Sequence, residues 1–205
     1  LKQFATELLD AYPDAKILVA DEKQLDKKNR RRFLARIAND DWDAIIMTHQ
    51  SFEKIPLSDE FIAEQINKDL AEYREILEQV DEDERATRKT IERQIENLEG
   101  RLESAMATDK KDAGLTFEEL GIDFLFVDEA HHHKKIPFPT SQSNLKGVDS
   151  NGSGIAYDLY MKSKYLDTIK PNRNMVLMSG TPVTNTLGEV FNIQRYLQPD
   201  VLERN

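Results

Sequence analysis

The chain has 205 residues, 39% hydrophobic and 32% charged, with a formal net charge of −10 and no cysteine. That length suits one sizeable core, with or without an appendage, and the lack of cysteine excludes disulfides, thiol catalysis and zinc fingers. No apolar run approaches the ~18–20 residues that span a bilayer, so no membrane partner is expected.

The start, "LKQFATELLDAYPDAK", has no basic region leading into an apolar stretch and is not a signal peptide. It lacks an initiator Met and begins inside a predicted helix, so the expectation is a cytoplasmic piece of a longer protein. The charge is uneven. Residues 59–112 hold 17 acidic and nine basic side chains, which is −8 of the −10, and the remainder is nearly neutral.

In chain order, a helix is predicted over "LKQFATELLDAY" (1–12), ending before Pro13, and a strand over "KILVA" (16–20). A helix follows in "QLDKKNRRRFLARIAND" (24–40). Within it, residues 27–36 carry Lys27, Lys28, Arg30, Arg31, Arg32 and Arg36 and no acid. This is either a solvated helix face or a patch that tracks nucleic-acid phosphates. The second strand is "DAIIMTH" (43–49), with Trp42 and Phe52 expected in the core.

Residues 59–112 form a different object. Ile66, Leu70, Tyr73, Leu77 and Val80 recur at helical spacing, as do Ile91, Ile95, Leu98, Leu102 and Met106, with "DEDER" between the two sets. Two narrow apolar stripes predict an antiparallel, coiled-coil-like hairpin with arms ~25–30 Å long. It is either a solvated insertion or a docking arm, and a non-enzymatic interaction module built on it is one alternative reading.

The third strand is "DFLFVDE" (123–129) and the fourth "NMVLMSG" (174–180). Between them, residues 134–155 are rich in Ser, Gly, Asn and Pro and are expected to be irregular, and "GIAYDLYMKSKYLDTI" (154–169) reads as a helix. The last helix is "GEVFNIQRYLQ", with Thr186 and Glu189 spaced as a capping box. Continuous apolar strands alternating with helices predict an α/β domain whose parallel sheet is buried on both faces. Chemistry in such sheets sits at the C-terminal ends of the strands, where Asp128–His131 and Ser179–Thr181 fall.

A hydrophobic strand ending in Asp-Glu suits a magnesium–nucleotide site. Asp128 would hold Mg²⁺, through water, and Glu129 would polarise the attacking water. Ser179 and Thr181 place short hydroxyls on a turn built around Gly180 that can hydrogen-bond such a site. A rival reading is a metal hydrolase using Asp128, Glu129, His131, His132 and His133. Neighbouring histidines on an extended segment point to opposite sides, so at most two would converge, with His49 a further candidate.

"VDEAH" (127–131), followed about fifty residues later by "SGTP" (179–182), resembles motifs II and III of superfamily-two helicase-like ATPases, above all the Swi/Snf-type branch. "AYPDAKILVA", "NRRRFLARIANDDWDAIIMTHQSFEKIP", "LTFEELGIDFLFVDEAH" and "MSGTPVTNTLGEVFNIQRYLQPD" extend the likeness over nearly the whole chain. They resemble the very large helicase-like proteins of phages and mobile elements that are often fused to adenine-specific DNA methylase modules.

The resemblance implies a partial RecA-like lobe, with residues 1–58 as its first part, 59–112 as an inserted helical hairpin and 113–205 as its second part. It implies an ATP- and Mg²⁺-dependent motor acting on DNA, partnered by the remaining motor domains and by a methylase where one is fused. Asp128 would be the magnesium residue and Glu129 the catalytic base. His131 with the Ser179–Thr181 turn would link hydrolysis to movement along DNA.

Two departures stand out. No G-x-x-x-x-G-K-[ST] occurs in the 205 residues, and by the resemblance that loop lies upstream and the second lobe is missing. The chain alone is therefore expected to be inactive. His132 and His133 also stand where the resemblance would place a polar and an aromatic residue.

Overall fold

The computed structural model describes residues 1–20, 22–26, 28–107, 114–141, 152–184 and 186–203. The chain is α/β, rich in helix, and divides into two compact units: Leu1–Ser58 with Asp109–Ile122, and Asp59–Thr108 with Asp123–Asn205. Each unit holds one β-α-β crossover among the described residues. Residues 142–151 of the expected irregular segment lie outside the described residues, as do residues 108–112 at the end of the predicted hairpin.

In the first unit, α1 (Lys2–Ala11) leads into β1 (Ile17–Val19), and α2 (Arg30–Asn39) carries the chain to β2 (Ala44–Ile46). The strands pair in parallel, with Leu18 opposite Ile45. Phe33, Leu34 and Ile37 of α2 are buried, as are Leu18, Ile55, Leu57 and Phe117. Strand β2 is shorter than predicted because Thr48 caps the short helix α3 (His49–Glu53), accepting from Ser51 N at 3.1 Å. Trp42 and Phe52 are half-buried and do not form the core. Trp42 instead lies under the Arg36 guanidinium, 5.0 Å from the ring centre, and Phe52 meets Phe117 edge-on.

In the second unit, β3 (Leu125–Val127) and β4 (Met175–Leu177) pair in parallel, joined through α6 (Gly154–Ile169). The single sheet expected from the sequence is therefore two separate two-stranded sheets. Each strand finds only the partner that its own crossover brings round. Nor are the strands of this pair buried on both faces: Phe126 and Val176, opposite each other in register, are 71% and 39% exposed.

The predicted hairpin is present as α4 (Asp59–Gln79) and α5 (Arg85–Ala107). Ile66, Leu70, Tyr73, Ile91 and Leu98 bury its seam, but Met106 is 75% exposed and contributes nothing to it. Arg88 closes the turn by donating to the carbonyls of Leu77 and Val80 at 3.1 and 2.8 Å, which supplies partners for the open end of α4. An Arg74–Glu99 pair at 2.7 Å bridges the exposed flank.

The hairpin is seated rather than freely solvated. Tyr157, in the first turn of α6, donates its hydroxyl to Asp69 of α4 at 3.1 Å, and Arg101 of α5 lies 4.4 Å from the Tyr157 ring centre. Phe61 meets Tyr165 edge-on further along. Burial raises the Asp69 pKa above the usual carboxylate value, against the opposing pull of Lys164, Arg195 and the Tyr157 hydroxyl. Burial likewise raises that of Glu72 nearby.

A carboxyl whose pKa rises on folding favours the folded state below its unfolded value, near 3.8, and that contribution is lost as pH rises through the folded pKa. Asp69→Asn is therefore expected to melt higher than the wild type at pH 7. The difference should close as pH falls through the acid range, as measured by thermal melts in a pH series. Tyr157→Phe removes the bond that compensates the buried carboxylate, so it should destabilise by about 1.5–3 kcal/mol in urea denaturation.

Candidate functional site

Strand β3 ends at Val127, and the chain then turns sharply. Glu129 takes the left-handed conformation, at φ 50°, and Ala130–His133 form a single 3-10 turn. Left-handed backbone is unfavourable for a residue bearing a Cβ and is found where its surroundings over-determine it. Here the ladder does so: Met178 N donates to Val127 O, and Ala130 N donates to Met178 O, both at 2.9 Å. The residue after β4 is thus held between the last residue of β3 and the turn that follows it. The small Ala130 side chain, only 8% exposed, allows this approach.

The pairing brings the two predicted motifs to one strand edge. Asp128 folds back to accept Glu129 N at 2.9 Å. His131 Nδ1 lies 3.1 Å from Glu129 Oε2 and 3.5 Å from Ser179 Oγ. Ser179 Oγ also accepts Thr181 N at 3.1 Å, which shapes the Ser179–Gly180–Thr181 turn. A carboxylate only accepts hydrogen bonds, so His131 serves Glu129 when Nδ1 is protonated. In the other tautomer the Ser179 hydroxyl donates to it. His131 therefore stands between the carboxylate of one motif and the hydroxyl of the other.

The three histidines are not extended, as the sequence reading assumed, because they lie on a 3-10 turn that keeps His131 and His132 side by side and turns His133 inward. The rings of His131 and His132 lie 4.1 Å apart. His133 is buried and donates from Nδ1 to Ile155 O at 3.2 Å. Among the described residues, no group of three or more His, Asp or Glu side chains converges as a metal-ligand set. The metal-hydrolase alternative thus lacks the convergent geometry it needs.

Sequence reading missed a polar cluster behind the turn, with a buried ion pair at its centre. Lys134 Nζ donates to Thr184 Oγ1 at 2.7 Å and to Thr181 O at 3.5 Å, and pairs with Glu189 Oε2 at 3.2 Å. Glu189 belongs to α7 (Leu187–Leu197) and also accepts Thr184 N at 2.7 Å. Only half of the expected capping box forms: Thr186 Oγ1 accepts Glu189 N at 3.3 Å, while the Glu189 carboxylate turns to Thr184 and Lys134. Further along α7, Asn192 donates to the carbonyls of Lys134 and Ile136, Arg195 to that of Pro137, and Tyr196 to that of His133. The only sequence signal for this rail is the spacing of Glu189, Asn192 and Tyr196 on one helix face.

The basic segment lies on the first unit. Lys28, Arg31 and Arg32 are exposed, while Arg30 is half-buried and donates to Lys54 O at 3.3 Å. Lys27 lies outside the described residues.

The chain is thus α/β, with a carboxylate-bearing strand end beside a hydroxyl-bearing turn. All of it, residues 1–205, matches the family model described as a probable helicase domain, and the chain belongs to that family. It is 23% identical over 168 residues to Defense against restriction protein B of Escherichia phage P1. That alignment covers 80% of this chain but only 7% of the phage protein. No solved structure matches the chain, and no helix among the described residues is long and apolar enough to cross a membrane.

Because Ala130 packs where the two strand ends meet, Ala130→Val should overfill the junction. The expected cost is about 1–3 kcal/mol of stability, read by chemical denaturation.

Proposed function

We propose that the chain is the part of an ATP-dependent DNA translocase or helicase motor that carries motifs II and III of a Swi/Snf-type, RecA-like lobe. One observation carries the reading: within a chain of the probable helicase family, His131 joins Glu129 and Ser179 at the paired ends of β3 and β4. Residues 1–58 and 113–205 are read as the two parts of that lobe, with 59–112 inserted between them.

Asp128 is an oxygen donor at a strand end, a fitting ligand type for Mg²⁺. The bound ion would supply charge neutralisation on the β- and γ-phosphates of ATP. In this reading Glu129 accepts the proton of the attacking water, and its carboxylate is oriented by His131. The Ser179–Thr181 turn senses the site through the same imidazole, which couples hydrolysis to DNA held by Lys27, Lys28, Arg30, Arg31 and Arg32. Phosphate contacts of this kind are independent of base sequence. With no phosphate-cradling glycine loop in the 205 residues, that element is assigned to other segments of the parent protein, and the isolated chain is taken to be inactive.

In the full-length protein, Asp128→Asn and Glu129→Gln are each expected to abolish DNA-stimulated, Mg²⁺-dependent ATP hydrolysis while circular dichroism and melting temperature stay unchanged. Turnover retained in both variants would end the reading. Arg31→Glu with Arg32→Glu should weaken DNA binding and flatten its log–log salt dependence by roughly two, in a fluorescence-anisotropy titration across salt concentrations.

A further inference from the structure

Behind the strand-end motifs, Lys134 and Glu189 form a buried ion pair whose side chains are 10% and 3% exposed. An ion pair this buried is costly to desolvate and persists only when its remaining hydrogen-bonding groups are satisfied. Here they are. An ammonium has three donors, and those of Lys134 meet three acceptors: the Thr184 hydroxyl, the Thr181 carbonyl and the Glu189 carboxylate. Glu189 in turn holds Thr184 N.

The acceptors are not scattered. Thr181 and Thr184 bracket the turn after β4, and Lys134 directly follows the 3-10 turn that carries His131. The carbonyl of Lys134 itself is held by Asn192, and its neighbours' carbonyls by Tyr196 and Asn192. One side chain thereby fastens the segment after one motif to the turn of the other, and both to helix α7.

We propose that Lys134 and Glu189 are a positioning pair for the hydrolysis site: they lock the Ser179–Thr184 turn in register with the Asp128–His131 turn, so that His131 can bridge Glu129 and Ser179. The inference rests on the motor reading above. Neither residue touches nucleotide in this scheme. Their contribution is to orientation, where a displacement of about 1 Å can cost roughly a hundredfold in rate.

The test uses the full-length protein, with ATP turnover measured with and without a duplex DNA oligonucleotide. Lys134→Met combined with Glu189→Leu replaces the buried pair by apolar groups, a change that buried pairs often tolerate in stability. It should lower DNA-stimulated kcat by roughly 10²-fold and leave KM for ATP within about twofold, because orientation rather than binding is lost.

Thr184→Val and Thr184→Ser decide the matter if the double variant fails to fold. The valine variant lacks the hydroxyl and should lose roughly tenfold in kcat, whereas the serine variant retains it and should match the wild type. A merely structural role for the Thr184 methyl would reverse that order. Wild-type kcat in a folded Lys134→Met/Glu189→Leu protein, or in Thr184→Val, would overturn the proposal. Failure of the underlying motor reading would look different: the unaltered protein would show no DNA-stimulated turnover, or Asp128→Asn would retain it.

Discussion

The described site depends on one short piece of parallel pairing. Met178 gives its N–H to Val127 and its carbonyl to Ala130. Those two bonds join residues about fifty positions apart in the chain and carry the β3–β4 ladder one residue past its end. A two-stranded parallel pair is weak by itself, and this one leaves Phe126 and Val176 exposed. Its stability is therefore drawn from what packs behind the turns: Val127, Ala130, Ile136, Phe138 and the buried face of α6.

The polar groups behind the site follow a consistent logic. The segment 133–137 has left the sheet, and His133 and Ile136 within it are buried, so their carbonyls need donors inside the protein. Helix α7 supplies them from Asn192, Arg195 and Tyr196, and Tyr196 reaches across to Ala156 O as well. The same first turn of α6 carries Tyr157 to Asp69 on the hairpin. The hairpin, the strand-end turn and α7 thus meet at the N-terminal turn of α6, and the rigidity of each bears on the others.

Much of this organisation is local and therefore readable from residue order. Continuous aliphatic runs mark the four strands, heptad-like spacing marks α4 and α5, and "GIAYDLYMKSKYLDTI" matches α6 from end to end. The grouping of Asp128, Glu129, His131, Ser179 and Thr181 was also legible, because strand ends are where parallel α/β units present polar groups. Reading failed where a side chain had two possible partners. Glu189 sits at capping-box spacing, yet a buried ammonium and the Thr184 amide outcompete the Thr186 backbone for its carboxylate. Met106 has the right period for the hairpin seam but lies beyond the point where α4 covers α5, so it is exposed.

By itself, then, the amino-acid order determined the elements, the helical hairpin and the two motifs, since each follows from periodicity, capping or chain stiffness within a few residues. Tertiary structure alone decided that the strands pair two by two, that His133 turns inward away from His131 and His132 on a 3-10 turn, and that Lys134 is buried against Glu189. These outcomes depend on which distant groups compete for the same hydrogen bonds once water is excluded, and no local pattern encodes that competition.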